Sequence, residues 1–277
     1  MEQLRKALLN AEKIRSKGRI NDHLDTKHSI SIEPKMKTYI ANPKNADVSD
    51  IAYKETKVIT LDHAYLEKQK VLSGTESEDI SQAYKLLRTQ VLQKLKFNDW
   101  NSLAIVSPKS GNGKTLTALN LAISLSQEVK HSVLLVDLDL KKPSVHSLLG
   151  LTLEFGITDY LLRDEPLSKI LINPNIERLV ILGGREVLEH SSEALGAPKL
   201  IRLVEELKER YPNRIIIFDL PPMLISDDAI VFAPYVDAVL LVVEEGKTTA
   251  EEIQRCKELL DGKPLIGSVL NKGEEHV

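Results

Sequence analysis

From residue 77 onward, short apolar runs alternate with amphipathic stretches. Continuous apolar runs bounded by polar or turn residues predict strands that are buried on both faces. They occupy residues 103–106, 133–136, 179–182, 214–218, 238–243 and 265–270. Apolar residues at helical spacing predict helices at 77–96, 114–127, 145–149, 199–210 and 249–260. This alternation predicts an α/β fold with a mostly parallel central sheet and helices on both faces.

The first 75 residues have a different pattern. Apolar residues at three- and four-residue steps over 1–18 predict an amphipathic helix that ends at Gly18. No period is sustained from 19 to 75, and the prolines and polar residues there predict a partly disordered linker with a short strand at 58–61. We therefore expect four parts along the chain. They are an N-terminal helix (1–18), a linker (19–75), a folded domain (76–273) and a tail (274–277).

Composition and charge narrow the class of protein. The chain has 277 residues, of which 42% are hydrophobic and 28% charged, as in a globular protein. The net charge is −3; residues 1–20 hold six basic and two acidic groups, a net +4, which leaves −7 for the rest. An acidic body argues against binding nucleic acid through the overall field. With no apolar run near the ~20 residues of a membrane span, no leader pattern and a single cysteine, we expect a cytoplasmic protein.

A glycine-rich segment links the run 103–106 to the helix that follows it. The segment ends in Ser110, Gly111, Asn112, Gly113, Lys114, Thr115 and Leu116. The main-chain N–H groups of such a loop, together with the helix N-terminus, bind phosphate. In this pattern the lysine reaches the β- and γ-phosphates and the hydroxyl residue ligates Mg²⁺. The full signature has a further glycine at position 108, where this chain has Pro108, and a simple helix-capping turn is the alternative.

Three aspartates follow predicted strands. Asp137 and Asp139 come after 133–136, and Asp219 comes after 214–218. The carboxyl ends of parallel strands share one edge of the sheet, which is the edge that carries the glycine-rich loop. An unpaired buried carboxylate is costly, so such groups face a cation, hydrogen-bond donors or solvent. We expect these aspartates beside the loop, although each alone could simply cap the next helix.

Taken together and in order, these segments resemble the Walker A, A′ and B motifs of the bacterial P-loop tyrosine kinases (BY-kinases), which belong with the MinD/Mrp-type ATPases. The A′-like segment is 133–143 with His146, and the B-like segment is 215–222. The resemblance covers about 76–273. It is greatest to soluble members from exosortase-associated exopolysaccharide loci.

The resemblance implies a P-loop NTPase fold, ATP as the substrate and Mg²⁺ as the cofactor. The implied catalytic residues are Lys114, Asp137, Asp139 and Asp219. The implied metal ligands are Thr115, Asp137 and Asp219. The implied nucleotide-binding residues are Ser110, Gly111, Asn112, Gly113, Lys114, Thr115, Leu116 and, near the adenine, Asn271.

The sequence departs from the family pattern in its tyrosines. Family members carry a tyrosine cluster at the C-terminus that they phosphorylate, whereas the last tyrosine here is Tyr235. Tyr39, Tyr53 and Tyr65 lie in the predicted linker, where they are either alternative phosphate acceptors or ordinary packing residues.

The assembly motif differs too. The family's Glu-x-x-Arg-x-x-Arg motif bridges neighbouring subunits from the helix before the phosphate loop. Its positions are occupied here by Gln82, Lys85 and Arg88. Lysine lacks the planar fork with which arginine binds a carboxylate, so we do not expect a ring assembled by that route, although a homo-oligomer is compatible with the sequence.

Two functions fit these observations. The first is Mg-ATP-dependent phosphoryl transfer in or regulating exopolysaccharide or capsule biosynthesis, with protein tyrosine as an acceptor. It implies a separate membrane partner, a chain-length regulator of the polysaccharide co-polymerase class, and recruitment to the inner face of the membrane. The second is a MinD/Mrp-like switch that hydrolyses ATP to control a membrane partner without phosphorylating protein. A nucleic-acid partner is not expected, because no basic recognition region accompanies the acidic body.

Overall fold

The structure is a computed structural model and describes residues 57–74, 77–211 and 213–273. The predicted helix at 1–18, most of the predicted linker and the tail at 274–277 lie outside the described residues, as do Tyr39 and Tyr53. No helix of the described ranges is long and apolar enough to cross a membrane.

In these ranges an eight-stranded sheet forms the centre of the fold. Its strands are β1 (Lys57–Val58), β2 (Ser102–Val106), β3 (Ser132–Asp137), β4 (Leu171–Asn173), β5 (Leu179–Leu182), β6 (Arg214–Asp219), β7 (Ala238–Glu244) and β8 (Leu265–Asn271). The order across the sheet is β1-β4-β5-β3-β6-β2-β7-β8. Neighbouring strands are parallel except for the antiparallel pair of β4 and β5.

Helices connect these strands. They are α1 (His63–Lys68), α2 (Glu78–Phe97), α3 (Lys114–Ser126), α4 (Val145–Leu148), α5 (Ile157–Arg163), α6 (Leu167–Ile170), α7 (Ser191–Leu195), α8 (Pro198–Arg210), α9 (Asp228–Phe232) and α10 (Ala250–Leu259). Local sequence fixes several of their ends. Ser77 accepts a hydrogen bond from the Ile80 N–H at the start of α2, and Thr249 with Glu252 forms a capping box at the start of α10.

The two faces of the sheet carry separate apolar cores, because successive strand residues point to opposite faces. In β2, Leu103 and Ile105 join the core that α2 and α3 cover, whereas Ala104 and Val106 join the core that α8 and α9 cover. Helices therefore lie on both faces of a mostly parallel sheet. The predicted fold class is confirmed.

Residues 57–74, which lie inside the segment predicted as a linker, pack onto this domain. The strand expected at 58–61 is the two-residue β1, which pairs with β4 at the sheet edge. Leu66 and Leu72 are buried in the core beside α3. The amide of Asn120 on α3 accepts a hydrogen bond from the Leu72 N–H and donates one to the Lys70 carbonyl, both at 2.9 Å. A buried side chain thus fastens this segment to the helix that follows the glycine-rich loop.

We predict that Asn120→Ala lowers the free energy of unfolding by about 2–4 kcal/mol, because it leaves a buried N–H and a carbonyl without their partner. Asn98→Ala is the control: the exposed Asn98 amide donates to the Lys94 carbonyl at the end of α2, and its loss should lower the free energy of unfolding by less than about 1 kcal/mol. Urea unfolding of the two variants measures the difference. Equal losses would contradict the role given to Asn120.

Candidate nucleotide-binding site

The glycine-rich loop between β2 and α3 is held in shape by its own side chains. The Asn112 Oδ1 accepts a hydrogen bond from the Lys109 N–H at 2.9 Å, and the Ser107 hydroxyl donates to the Lys109 carbonyl at 2.8 Å. Gly113 has φ of 90°, a left-handed conformation that glycine adopts without strain. It is the N-cap of α3 and supplies no capping side chain, so no side chain competes with a phosphate for the first N–H groups of the helix.

Lys114 is buried at the centre of the site. Its Nζ lies 2.7 Å from Asp139 Oδ2, 3.4 Å from Asp219 Oδ1 and 3.1 Å from the Thr115 hydroxyl. Burial lowers the pKa of Lys114, but the charges of Asp219 and Asp139 outweigh that effect and raise it overall. The Lys114 ammonium group is therefore charged. It pairs with one carboxylate that follows β3 and with another at the end of β6.

Asp137 is fully buried at the end of β3 and organises the loop after it. Its Oδ2 accepts hydrogen bonds from the N–H groups of Ser144 and Val145 at 2.9 and 3.0 Å, and its Oδ1 accepts one from the Asp139 N–H at 3.3 Å. Burial and the nearby charge of Asp219 nonetheless raise the pKa of Asp137 to about 7. This carboxyl group is thus poised to gain or lose a proton near neutral pH.

Asp219 is fully buried at the end of β6, and its Oδ2 has no hydrogen-bond partner among the described residues. Burial raises the pKa of Asp219 more than Lys114 and the Thr115 hydroxyl lower it. A buried carboxylate oxygen without a partner is expensive, so this atom is suited to face a cation or a water bound to one.

A cavity of about 340 Å³ lies in front of these groups. Predicted residues that line it are Ser110, Gly111, Gly113, Lys114, Thr115, Leu116 and Asp139. Residues that the motifs did not predict also line it: Gln69, Lys142, Ser144, Ser147 and Leu148, together with Tyr65. Asp137 and Asp219 lie behind the cavity wall, where they contact its lining residues.

Asn271 lies on another side of the same loop. Its Nδ2 donates to the Asn112 carbonyl at 2.9 Å, and a Cβ atom at Gly113 would come within 2.0 Å of that nitrogen. Lys272 donates to the Gly111 carbonyl at 2.8 Å and pairs with Glu244 at 3.1 Å. The predicted site residues included neither Glu244 nor Lys272, although a carboxylate at the end of β7 obeys the same strand-end rule as the three aspartates.

The donors of the site fit Mg²⁺ bound together with a phosphate. The described part of the chain holds no group of three or more His, Cys, Asp or Glu side chains arranged to bind a metal ion. Mg²⁺ usually takes one or two protein ligands and completes its shell with phosphate oxygens and water. The unpartnered Oδ2 of Asp219 and the Thr115 hydroxyl, 3.1 Å from Lys114 Nζ, provide such a partial set.

Comparison with known proteins agrees with this geometry. The family model described as "CobQ/CobB/MinD/ParA nucleotide binding domain" matches residues 103–275. The tyrosine-protein kinase YwqD of Bacillus subtilis (strain 168) is 31% identical over 207 residues, which cover 74% of this chain and 86% of YwqD. The chain therefore belongs to the CobQ/CobB/MinD/ParA nucleotide-binding family, together with bacterial tyrosine-protein kinases.

Solved structures give the same result. The kinase domain of the Escherichia coli tyrosine kinase ETK superposes with a TM-score of 0.68 and 25% identity, covering 80% of this chain and 91% of that domain. The septum site-determining protein MinD of Pyrococcus horikoshii OT3, complexed with Mg-ADP, gives 0.53 and 26%, covering 61% of this chain and 69% of MinD. The predicted resemblance to bacterial tyrosine kinases and MinD-type ATPases is confirmed.

We predict that the stability of the nucleotide-free protein falls as the pH rises through the titration of Asp137. Because the pKa rises from 3.8 to about 7 on folding, the folded state binds more protons than the unfolded state between these values. This group should therefore lower the free energy of unfolding by about 3 kcal/mol between pH 4 and pH 7.

Thermal unfolding of wild type, Asp137→Asn and the exposed control Asp99→Asn across this pH range measures the effect. Asp137→Asn should reduce the fall with pH, and Asp99→Asn should leave it unchanged. Identical pH profiles for all three proteins would show that Asp137 is not the titrating group.

Proposed function

We propose that this protein is an Mg-ATP-dependent phosphotransferase of the bacterial tyrosine-kinase type that acts in exopolysaccharide or capsule biosynthesis. The observation that carries the proposal is the meeting of Lys114, Asp139 and Asp219 at the glycine-rich loop, in a chain 31% identical to a tyrosine-protein kinase. Protein tyrosine is the proposed acceptor, because the relatives bear that name. The capsule role rests on the resemblance to exopolysaccharide-locus kinases.

In the proposed mechanism, residues 110–116 bind the triphosphate through main-chain N–H groups. Lys114 leaves Asp139 for the terminal phosphate, where its charge stabilises the transition state. Thr115 would ligate Mg²⁺, Asp219 would hold it through water and Asp137 would help to hold it; the bound ion would supply further neutralisation of phosphate charge. Asp137 and Asp139 orient the attacking hydroxyl group and take its proton. Asp139 lines the cavity and is the carboxylate that can take the proton directly, whereas Asp137 lies behind it and accepts a hydrogen bond from the Asp139 N–H.

Asn271 is the proposed contact for the adenine ring. Its hydrogen bond to the Asn112 carbonyl supports this, because it holds the amide beside the loop that would carry the phosphates. Through this hydrogen bond, binding of the adenine ring would affect the conformation of the glycine-rich loop.

A separate membrane protein of the chain-length regulator class is the proposed partner, and it would recruit this chain to the inner face of the membrane. The same domain occurs in chains of very different length: the match covers 86% of YwqD but 26% of the tyrosine-protein kinase etk of Escherichia coli (strain K12). The longer relatives carry additional sequence in the same chain as this domain. We propose that a separate partner protein takes the place of that additional sequence here.

Two of the three subunit-bridging positions make side-chain contacts within the same chain. Gln82 donates to Glu78 on the same helix at 3.1 Å, and Arg88 donates to the Ser124 carbonyl of α3 at 2.9 Å. These contacts support the proposal that any homo-oligomer forms by a route other than the family's ring motif.

A nucleotide switch that only hydrolyses ATP is the second candidate. The likeness to MinD favours it. Incubation with γ-labelled Mg-ATP separates the two functions. Label on tyrosine supports the kinase, whereas free phosphate without labelled protein, even with the partner present, supports the switch.

We predict that Lys114→Met lowers ADP formation at least ~100-fold, because the transition state loses the buried cation nearest the terminal phosphate. Lys109→Met is the matched control. Lys109 belongs to the same loop but pairs with Glu252 on α10 and is largely exposed. It should retain activity within about threefold. Turnover by a folded Lys114→Met protein would show that this loop is not the phosphate site.

A further inference from the structure

Tyr65 brings a phenol to the cavity in which the terminal phosphate is proposed to bind. The side chain lines the same cavity as Lys114, Thr115 and Asp139, and it is half-buried. Its hydroxyl donates to the Ser147 carbonyl at 2.9 Å. Tyr65 belongs to residues 57–74, which precede the kinase-like motifs in the sequence. Its side chain lines the cavity because this segment packs onto the folded domain.

The segment that carries Tyr65 is fixed in place. Asp62 caps α1 by accepting hydrogen bonds from the N–H groups of Ala64 and Tyr65. The next residue, Leu66, is buried. After α1, the main chain of Lys70 and Leu72 is hydrogen-bonded to Asn120 on α3. The phenol is therefore held at the cavity by the folded domain itself.

The aromatic ring of Tyr65 packs against Gly150. A Cβ atom at Gly150 would lie 3.0 Å from Cδ1 of Tyr65, so a side chain there would press on the ring. Gly150 has φ of 67°, a conformation that favours glycine as well. The ring thus packs against bare backbone, directly after α4.

The phenol and the proposed metal ligand Thr115 contact neighbouring parts of the chain at the start of α4. The Ser144 hydroxyl is 3.5 Å from the Thr115 hydroxyl, and Ser144 immediately precedes α4. Ser147, which accepts the phenol hydrogen bond, lies three residues further, or about 5 Å along a helix. Ser144 and Ser147 both line the cavity, so the phenol and Thr115 contact one stretch of its wall.

The other described tyrosines are placed differently. Tyr84 packs against the core beside α3, and Tyr235 stacks edge-on against Phe232. Tyr160 and Tyr211 pack against cationic side chains. In the described residues, Tyr65 is the tyrosine that lines the cavity of Lys114.

From this geometry we propose that Tyr65 is a phosphate acceptor of this chain and is phosphorylated within the same molecule; the inference rests on the function proposed above. The phenol oxygen bonds to the γ-phosphorus, the bond from that phosphorus to the β,γ-bridging oxygen breaks, and ADP leaves. The phenolic proton passes to the carboxylate of Asp139, which Lys114 has released. Lys142, which lines the same cavity, is a cation available to the phosphate on Tyr65.

The test uses the full chain with γ-labelled Mg-ATP, peptide mapping by mass spectrometry and a parallel assay of ADP formation. Tyr65 is expected to be the main labelled residue. Because the reaction is intramolecular, the fraction of protein labelled per minute should stay constant within about twofold across a 20-fold dilution of the protein.

Tyr65→Phe keeps the ring and removes the acceptor oxygen, so protein-bound label should fall at least tenfold. Tyr211→Phe removes the hydroxyl of a tyrosine outside the cavity. This variant should carry protein-bound label within twofold of the wild-type amount. Melting curves check that both variants fold, and mapping of the wild-type protein does not depend on either of them.

Two sets of results would overturn the inference. ADP formation with label on a different tyrosine, with no tyrosine label, or with a labelling rate that rises with protein concentration refutes Tyr65 as the intramolecular acceptor and leaves ATP chemistry standing. Absence of both ADP formation and nucleotide binding refutes the proposed function as well.

Discussion

The buried ion pairs of Lys114 are the interaction on which the rest of the site depends. One ammonium group faces Asp139 and Asp219, and Asp137 lies close enough for its pKa to respond to both Asp219 and Lys114. Three carboxyl groups and one cation cannot all be ionised in a buried place without a large electrostatic cost. The free protein relieves the imbalance by raising the pKa of Asp137, and a bound divalent cation would relieve it by adding positive charge. The free protein is thus arranged for a ligand that brings phosphate and metal together.

Much of the fold follows from local pattern. Six of the strands are continuous apolar runs between turn residues, and five of them are buried on both faces as the runs predict. The prediction is wrong for β8, which lies at the edge of the sheet and is partly exposed. β4 was not predicted, since a run of three residues is too short to show a period, and such a run carries no signal for its antiparallel pairing with β5. Residues 57–74 were expected to form part of a linker because no hydrophobic period is sustained there. Leu66, Leu72 and the amide of Asn120 fix the segment only once α3 is in place.

The site was predictable to the extent that its residues share a motif. Lys114 and Thr115 follow from spacing within one loop, and the three aspartates from their positions at strand ends. Glu244 and Lys272 meet the loop from β7 and β8, and Tyr65 meets the cavity from α1, through contacts between segments far apart in sequence. The strand-end position of Glu244 is a local signal, but the contacts themselves are not visible in the sequence. The side chains that shape the rim of the cavity therefore become visible only in the folded chain.

Calorimetric titration of ADP into the full chain, once in Mg²⁺ and once in EDTA, tests the central claim most directly. If the unpaired Asp219 oxygen and the Thr115 hydroxyl complete a magnesium shell with phosphate, Mg²⁺ should strengthen binding at least ~10-fold. No detectable heat with any purine nucleotide in the presence of magnesium, or equal affinity in the two buffers, would contradict the account.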